Sequence, residues 1–158
     1  MAVKAGKLVI QALNDILTAE LTGINQYFLH AKLLENWGYL RLAKHTRAES
    51  IDEMKHADQL MERILYLEGM PNVQRLGRIR IGETVPEMLA SDLELEREAV
   101  PRLNAAIALC TANGDSGTRH LLEEILVSEE EHLDWLETQL RLIKEIGLAG
   151  YLGEHMSD

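Results

Sequence analysis

Two stretches of this chain carry glutamate and histidine three residues apart, Glu53–His56 and Glu129–His132. On an α-helix that spacing puts both side chains on one face. Each pair can therefore offer a carboxylate oxygen and an imidazole nitrogen to one centre. Two further glutamates stand at matched distances: Glu20 precedes Glu53 by 33 residues, and Glu96 precedes Glu129 by 33. The chain thus repeats one pattern, a lone Glu followed by Glu-x-x-His, and a pseudo-two-fold axis would bring the copies together. Four carboxylates and two imidazoles can hold two divalent ions, with two carboxylates shared. Without thiolate, such a set suits iron or manganese better than structural zinc.

These residues need helices to position them, and glycine and proline mark where the helices stop. The first is expected from about Lys7 to Trp37, ending at Gly38. The second runs from about Leu40 to Glu68, ending at Gly69 with Pro71 beyond. A connection from Met70 to Glu83 follows. The third starts at the cap Thr84, with Pro86 in its first turn, and reaches Asn113; Pro101 is expected to kink it without breaking it. The fourth follows Asp115-Ser116-Gly117 and runs to Ile146, and a short helix occupies about 147–156. Short turns make each pair a hairpin. The long connection, at ~3.3 Å per residue, can span a whole helix and set the second and third helices parallel. The expectation is an all-α, four-helix bundle with a long crossover, within a single domain of residues 1–158 whose bundle covers about 7–146.

The apolar stripes of these helices are interrupted by acids: Glu20 in the first, Glu49 and Glu53 in the second, Asp92 and Glu96 in the third, Glu129 in the fourth. An isolated buried carboxylate costs several kcal/mol unless it is paired or neutralised. No lysine or arginine lies on the stripes beside them, so a cation from outside is the expected compensation. With the second and third helices parallel, all six Glu and His side chains fall at one level.

Composition narrows the function. The 158 residues carry a formal charge of −10, which disfavours nucleic acid and anionic membranes and favours cations. The apolar first segment is interrupted by Gln11, Asn14, Asp15 and Glu20, so it reads as an amphipathic helix and not a signal peptide despite Lys4 and Lys7. Cys110 is the only cysteine and excludes an intrachain disulfide. A cytoplasmic location is expected.

At these same residues the chain resembles the bacterioferritins, in INQYFLHAKLLENWG (24–38), ESIDEMKHAD (49–58), ERILYLEGMPN (62–72), EEEHLDWLETQL (129–140) and the closing GLAGYL (147–152). The resemblance implies a ferritin-like fold and a homo-oligomeric shell of 24 subunits, built from dimers, that stores ferric mineral. It implies a di-iron ferroxidase centre using O2 or H2O2. Glu20 and His56 would be terminal ligands to one iron, Glu96 and His132 to the other, with Glu53 and Glu129 bridging. It also implies haem b between subunit pairs with Met54 as axial ligand, and a small [2Fe-2S] ferredoxin as electron donor for release. Met54 lies about 100° round the helix from Glu53 and shares a second apolar stripe with Ile51, Met61 and Leu65, which by itself indicates a partner surface.

Other residues support more than one reading. Tyr27 can donate a hydrogen bond to a metal-site carboxylate, relay an electron, or fill the core. Asp52 reads as a solvated acid; His30, His45, His120 and His155 read as surface or packing residues, and Trp37 and Trp135 as packing or interface residues. Arg75, Arg78 and Arg80 read as a basic patch for subunit contacts. Two rival classes are a di-manganese or peroxide-reducing enzyme on the same fold and a purely structural helical assembly protein.

Overall fold

The computed structural model describes residues 6–157; Lys4 and the outer limits of the expected 1–158 domain lie outside them. Its elements are α1 (Lys7–Asn36), α2 (Leu40–Tyr66), α3 (Val85–Ala112), α4 (Ser116–Ile146) and α5 (Leu148–Glu154), with no strand among the described residues. The fold is the expected all-α bundle with a short C-terminal helix. α1 packs on α2, α3 on α4, and the two hairpins meet along α1–α3. Tyr27 of α1 reaches Glu96 of α3 while His30 reaches Asp92, so these two helices run antiparallel and α2 runs parallel to α3.

Two core clusters flank the level of the acids. One gathers Leu13, Ile16, Leu17, Leu60, Leu103 and Leu122; the other gathers Leu34, Leu42, Leu89, Leu93, Leu136 and Tyr151. α5 closes the second, its Tyr151 hydroxyl donating to Gln139 at 2.8 Å while the Arg41 amide donates to the His155 carbonyl at 3.1 Å. Helix ends follow their caps. Thr84 accepts from the Glu87 amide and Asp115 from the Thr118 amide, which starts α4 at Ser116, earlier than expected. α2 stops at Tyr66, short of the expected Glu68, and the left-handed residue is Glu68 (φ 65°) rather than Gly69. Gly69 is needed for close approach instead: a Cβ there would lie 2.9 Å from Ile10 Cγ2. α3 runs through Pro101 as one helix, with Pro101 at an exposed position.

The crossover from Leu67 to Thr84 is fastened to α1 by a row of polar side chains at four-residue spacing. Asn14 Oδ1 accepts from the Asn72 amide (2.8 Å), Thr18 Oγ1 from Arg75 Nε (3.0 Å) and Thr22 Oγ1 from the Gly77 amide (2.8 Å). Gln26 Oε1 accepts from the Arg80 amide (2.9 Å) and His30 Nε2 from the Gly82 amide (3.0 Å). An extended strap has no ladder to satisfy its amides, and this row supplies partners for those of Asn72, Gly77, Arg80 and Gly82.

Candidate metal centre

One side chain from α1 (Glu20), two from α2 (Glu53, His56), one from α3 (Glu96) and two from α4 (Glu129, His132) converge between the core clusters, each at most 8% exposed. They fall into two quartets. Glu20, Glu53, His56 and Glu129 offer atoms within 4.8 Å of one another, and so do Glu53, Glu96, Glu129 and His132. Glu53 and Glu129 belong to both. Helical geometry explains the convergence, because the i, i+3 pairs of α2 and α4 face each other while α1 and α3 each present one acid at the same height.

The cluster is incomplete as a protein-only structure. Glu20 Oε2, Glu53 Oε1, Glu96 Oε2, Glu129 Oε1, His56 Nδ1 and His132 Nδ1 are buried without a hydrogen-bond partner. Close approaches exist, with His56 Nδ1 at 3.1 Å from Glu129 Oε1 and His132 Nδ1 at 3.4 Å from Glu53 Oε1, but they are not aligned as hydrogen bonds. Every helix thus aims at least one unsatisfied donor atom at a common centre. Oxygen and imidazole donors left over in this number fit a pair of divalent ions.

Electrostatics without metal says the same. Burial and the charge of Glu129 push Glu20 up to about 8, and burial and Glu129 hold Glu96 well above the ordinary carboxylate range. Burial also opposes ionisation of Glu129, but the polar groups of Glu96, His132 and His56 crowded against it outweigh burial and leave Glu129 below its ordinary value. Burial alone would lower both histidines. Glu129 and Glu20 instead raise His56 to about 9, and Glu129 and Glu96 raise His132 to about 12. Protons hold the metal-free cluster together where cations would otherwise stand.

Neighbouring groups orient the donors. Tyr27, fully buried, donates to Glu96 Oε1 at 2.5 Å; burial and the charges of Glu96 and Glu49 keep its hydroxyl protonated. Of the alternatives for Tyr27, the hydrogen bond to a site carboxylate is the one present. Asp52 is half exposed, as a solvated acid should be, yet its Oδ2 lies 3.3 Å from His132 Nε2. With the Nε2 proton held there, the ring turns Nδ1 inward, where its lone pair becomes available once the Nδ1 proton is lost. A cavity of about 110 Å³ opens the cluster to the α1–α3 face, lined by Glu20, Glu53, Glu96 and Glu129 with Arg78 and Arg102. A groove between α2 and α4, with Asp52, His56 and Gln59, approaches from the opposite side.

Not every stripe acid joins the cluster. Glu49 takes His45 as partner (2.8 Å), and His45 stacks on Trp135 with ring centroids 3.6 Å apart. Asp92 takes Gln26 and His30. Protein groups, and not an outside cation, compensate these two. His30 is a fully buried network residue; the row on α1 to which it belongs was the available signal, since its spacing of four is regular. His120 is a surface residue paired with Glu124, and His155 stacks on Tyr151. Two of the three crossover arginines are spent within the chain, Arg75 on Asp15 (2.6 Å) and Arg80 on Glu98 (3.3 Å). Met54 stands apart on the outer face of α2, 53% exposed, beside Ile51 at 46%.

A model of the ferritin-like domain matches residues 10–146 of the chain. The helical bundle is that of this class. Among curated relatives, the bacterioferritin of Mycolicibacterium paratuberculosis is 51% identical over 149 residues, 94% of each chain. The bacterioferritin of Streptomyces coelicolor is 54% identical over 144 residues, 91% of this chain and 86% of the relative, and that of Brucella melitensis is 48% identical over 143 residues, 90% and 89%. The chain belongs to the bacterioferritin family.

Proposed function

We propose that this chain stores iron, taking Fe(II) as substrate at the six-residue cluster and oxidising it. The observation that carries this reading is the pair of four-donor sets sharing Glu53 and Glu129, with buried donor atoms lacking any protein partner. Glu20 and His56 would complete one half, and Glu96 and His132 the other. Two Fe(II) bound together give up two electrons at once. O2 accepts them with two protons to form H2O2, or H2O2 accepts them with two protons to form two waters. The residues' part is to neutralise the charge of the ions, hold them as neighbours and surrender protons as they bind. Ferric product then mineralises inside a shell of 24 copies built from dimers, in the cytoplasm.

Met54 and its surroundings fit a haem. The thioether is exposed beside Ile51 and Leu65 on an outer helix face, where it is open to a partner outside the chain. Met54 from each of two copies would hold haem b between them, and that group would supply one-electron transfer across the shell for release of iron, fed by a [2Fe-2S] ferredoxin. No helix among the described residues is long and apolar enough to cross a membrane.

The test is aerobic Fe(II) oxidation by the purified particle, read beside its size, metal content and visible spectrum. The expected result is a species of roughly half a megadalton (24 copies of 17.8 kDa) with a Soret band. Glu53→Ala and Glu129→Ala should each slow oxidation at least ~100-fold, and Met54→Leu should remove the Soret band alone. Oxidation unchanged by both glutamate substitutions would overturn the reading, and a dimer with two manganese ions and no haem would replace it with a redox enzyme.

A further inference from the structure

The two halves of the cluster are related by the sequence repeat but are braced differently. Tyr27 stands seven residues after Glu20, and Leu103 stands seven after Glu96. Asp92 stands four before Glu96, and Ile16 four before Glu20. His30 stands ten after Glu20, and Ala106 ten after Glu96. Of the polar members, Tyr27 donates to Glu96 itself, while His30 pairs with Asp92 one turn before Glu96 on the same helix. Their counterparts Leu103, Ala106 and Ile16 are buried hydrocarbon in the first core cluster. Glu20 therefore has no counterpart of the Tyr27 hydroxyl.

The polar side is closed on itself. Asp92 Oδ1 accepts from Gln26 Nε2 at 2.8 Å and from His30 at 2.9 Å. His30 Nε2 accepts the Gly82 amide, so the ring proton must sit on Nδ1 and face Asp92. Gly82 is required for that contact, since a Cβ would lie 2.3 Å from the Met88 amide nitrogen. No buried polar atom of Gln26, His30 or Asp92 lacks a partner. One helical turn along α3, Tyr27 donates to Glu96. The α1–α3 seam, where the cavity opens, is thus pinned at two successive turns: Asp92 sets the register and Tyr27 sets the carboxylate.

We infer that Asp92, clamped by His30 and Gln26, is a positioning residue for the Glu96–His132 half of the metal centre, and that the Glu20–His56 half does not depend on it. This rests on the metal-binding reading above, and the experiment separates the two. The assembled, metal-free particle is titrated with Co(II) alone, and binding is read from its visible d–d absorption. The wild type takes two ions per chain. In a Glu20→Gln background the remaining ion occupies the Glu96 half, and adding Asp92→Ala weakens it about 10–100-fold, the range for groups that orient ligands. In a Glu96→Gln background the remaining ion occupies the Glu20 half, and adding Asp92→Ala leaves its affinity within about twofold. Asp92→Asn, which keeps the acceptor oxygen, restores binding in the first background. A merely structural role would weaken both backgrounds alike, and that result overturns the inference, as does no loss in either. If Asp92→Ala does not fold, Asp92→Ser, which keeps a small polar side chain but cannot reach both Gln26 and His30, replaces it with the same expected asymmetry and the same overturning results. Failure of the wild type to bind two Co(II) would instead overturn the metal-binding reading itself.

Discussion

Two groups of buried acids occupy the same bundle about one helical turn apart, and the protein treats them in opposite ways. Around Asp92 the chain supplies the partners itself: an amide side chain, an imidazole of fixed tautomer and, through His30, a crossover amide. Around Glu20, Glu53, Glu96 and Glu129 it supplies two histidines and leaves donor atoms from every helix facing one another unsatisfied. A buried carboxylate costs several kcal/mol unless compensated. The first group compensates at folding and stabilises the fold. The second defers compensation to protons or metal, so its arrangement is maintained at the expense of stability by the packing above and below it.

That contrast predicts opposite responses to removing one acid. Asp92→Ala should lower the stability of the metal-free protein by about 3 kcal/mol, because it strands the Gln26 and His30 donors in the interior. For a chain of this size, that is a fall of about 6–12 °C in Tm. Glu20→Gln should leave metal-free stability unchanged within about 0.5 kcal/mol. Burial and Glu129 already keep Glu20 protonated at neutral pH, so glutamine resembles the form present. Thermal melts of the chelated particles check both. Equal destabilisation by the two substitutions would erase the distinction between the groups.

How much of this the sequence disclosed follows from the range of each interaction. Helix extents were legible to within a few residues because Gly38, Gly114 and Gly147 adopt positive φ at the stops, a local property. The convergence of Glu20, Glu53, His56, Glu96, Glu129 and His132 was legible because helical period and a duplicated spacing together specify one face and one height. Asp92 and Glu49 shared that stripe and looked alike, and nothing local separates them from the cluster acids. Their partners come from other helices, or from His45 one turn away, whose angle depends on Trp135. The row Asn14, Thr18, Thr22, Gln26 and His30 is regular, but its partners are mostly main-chain amides of an extended strap, which carry no sequence signature.

A smaller effect sharpens the contrast through protons. In the metal-free cluster His56 and His132 are charged at neutral pH, Glu20 holds a proton, and burial and Glu129 favour the protonated form of Glu96. Divalent ions need imidazoles neutral and carboxylates ionised, so loading must expel protons. Co(II) binding near pH 7 should release about two or more protons per chain, seen as a dependence of binding heat on buffer ionisation enthalpy. The sign is fixed: affinity falls as pH falls, by about tenfold per unit for each proton released. Binding without net proton release would mean the cluster is already deprotonated, contrary to its crowding.

The smallest effect belongs to a third acid that completes the series. Asp115 is near the surface at the start of α4, where it accepts from the Thr118 amide (3.1 Å) and hydroxyl (2.6 Å) and pairs with Arg63 (3.1 Å). Burial opposes its ionisation, but the Thr118 hydrogen bonds and Arg63 outweigh it and hold its carboxyl below the ordinary value. A lowered folded pKa means the contribution is fully present above the unfolded value near ~3.9. It is lost as pH falls through the folded one. Asp115→Ala should therefore cost about 1 kcal/mol at pH 7, the usual worth of a helix N-cap, and progressively less below pH ~4. Parallel melts of Asp115→Ala and the wild type from neutral to acid pH check this; a penalty that does not shrink below pH ~4 would show that the Thr118 and Arg63 contacts do not depend on the Asp115 charge.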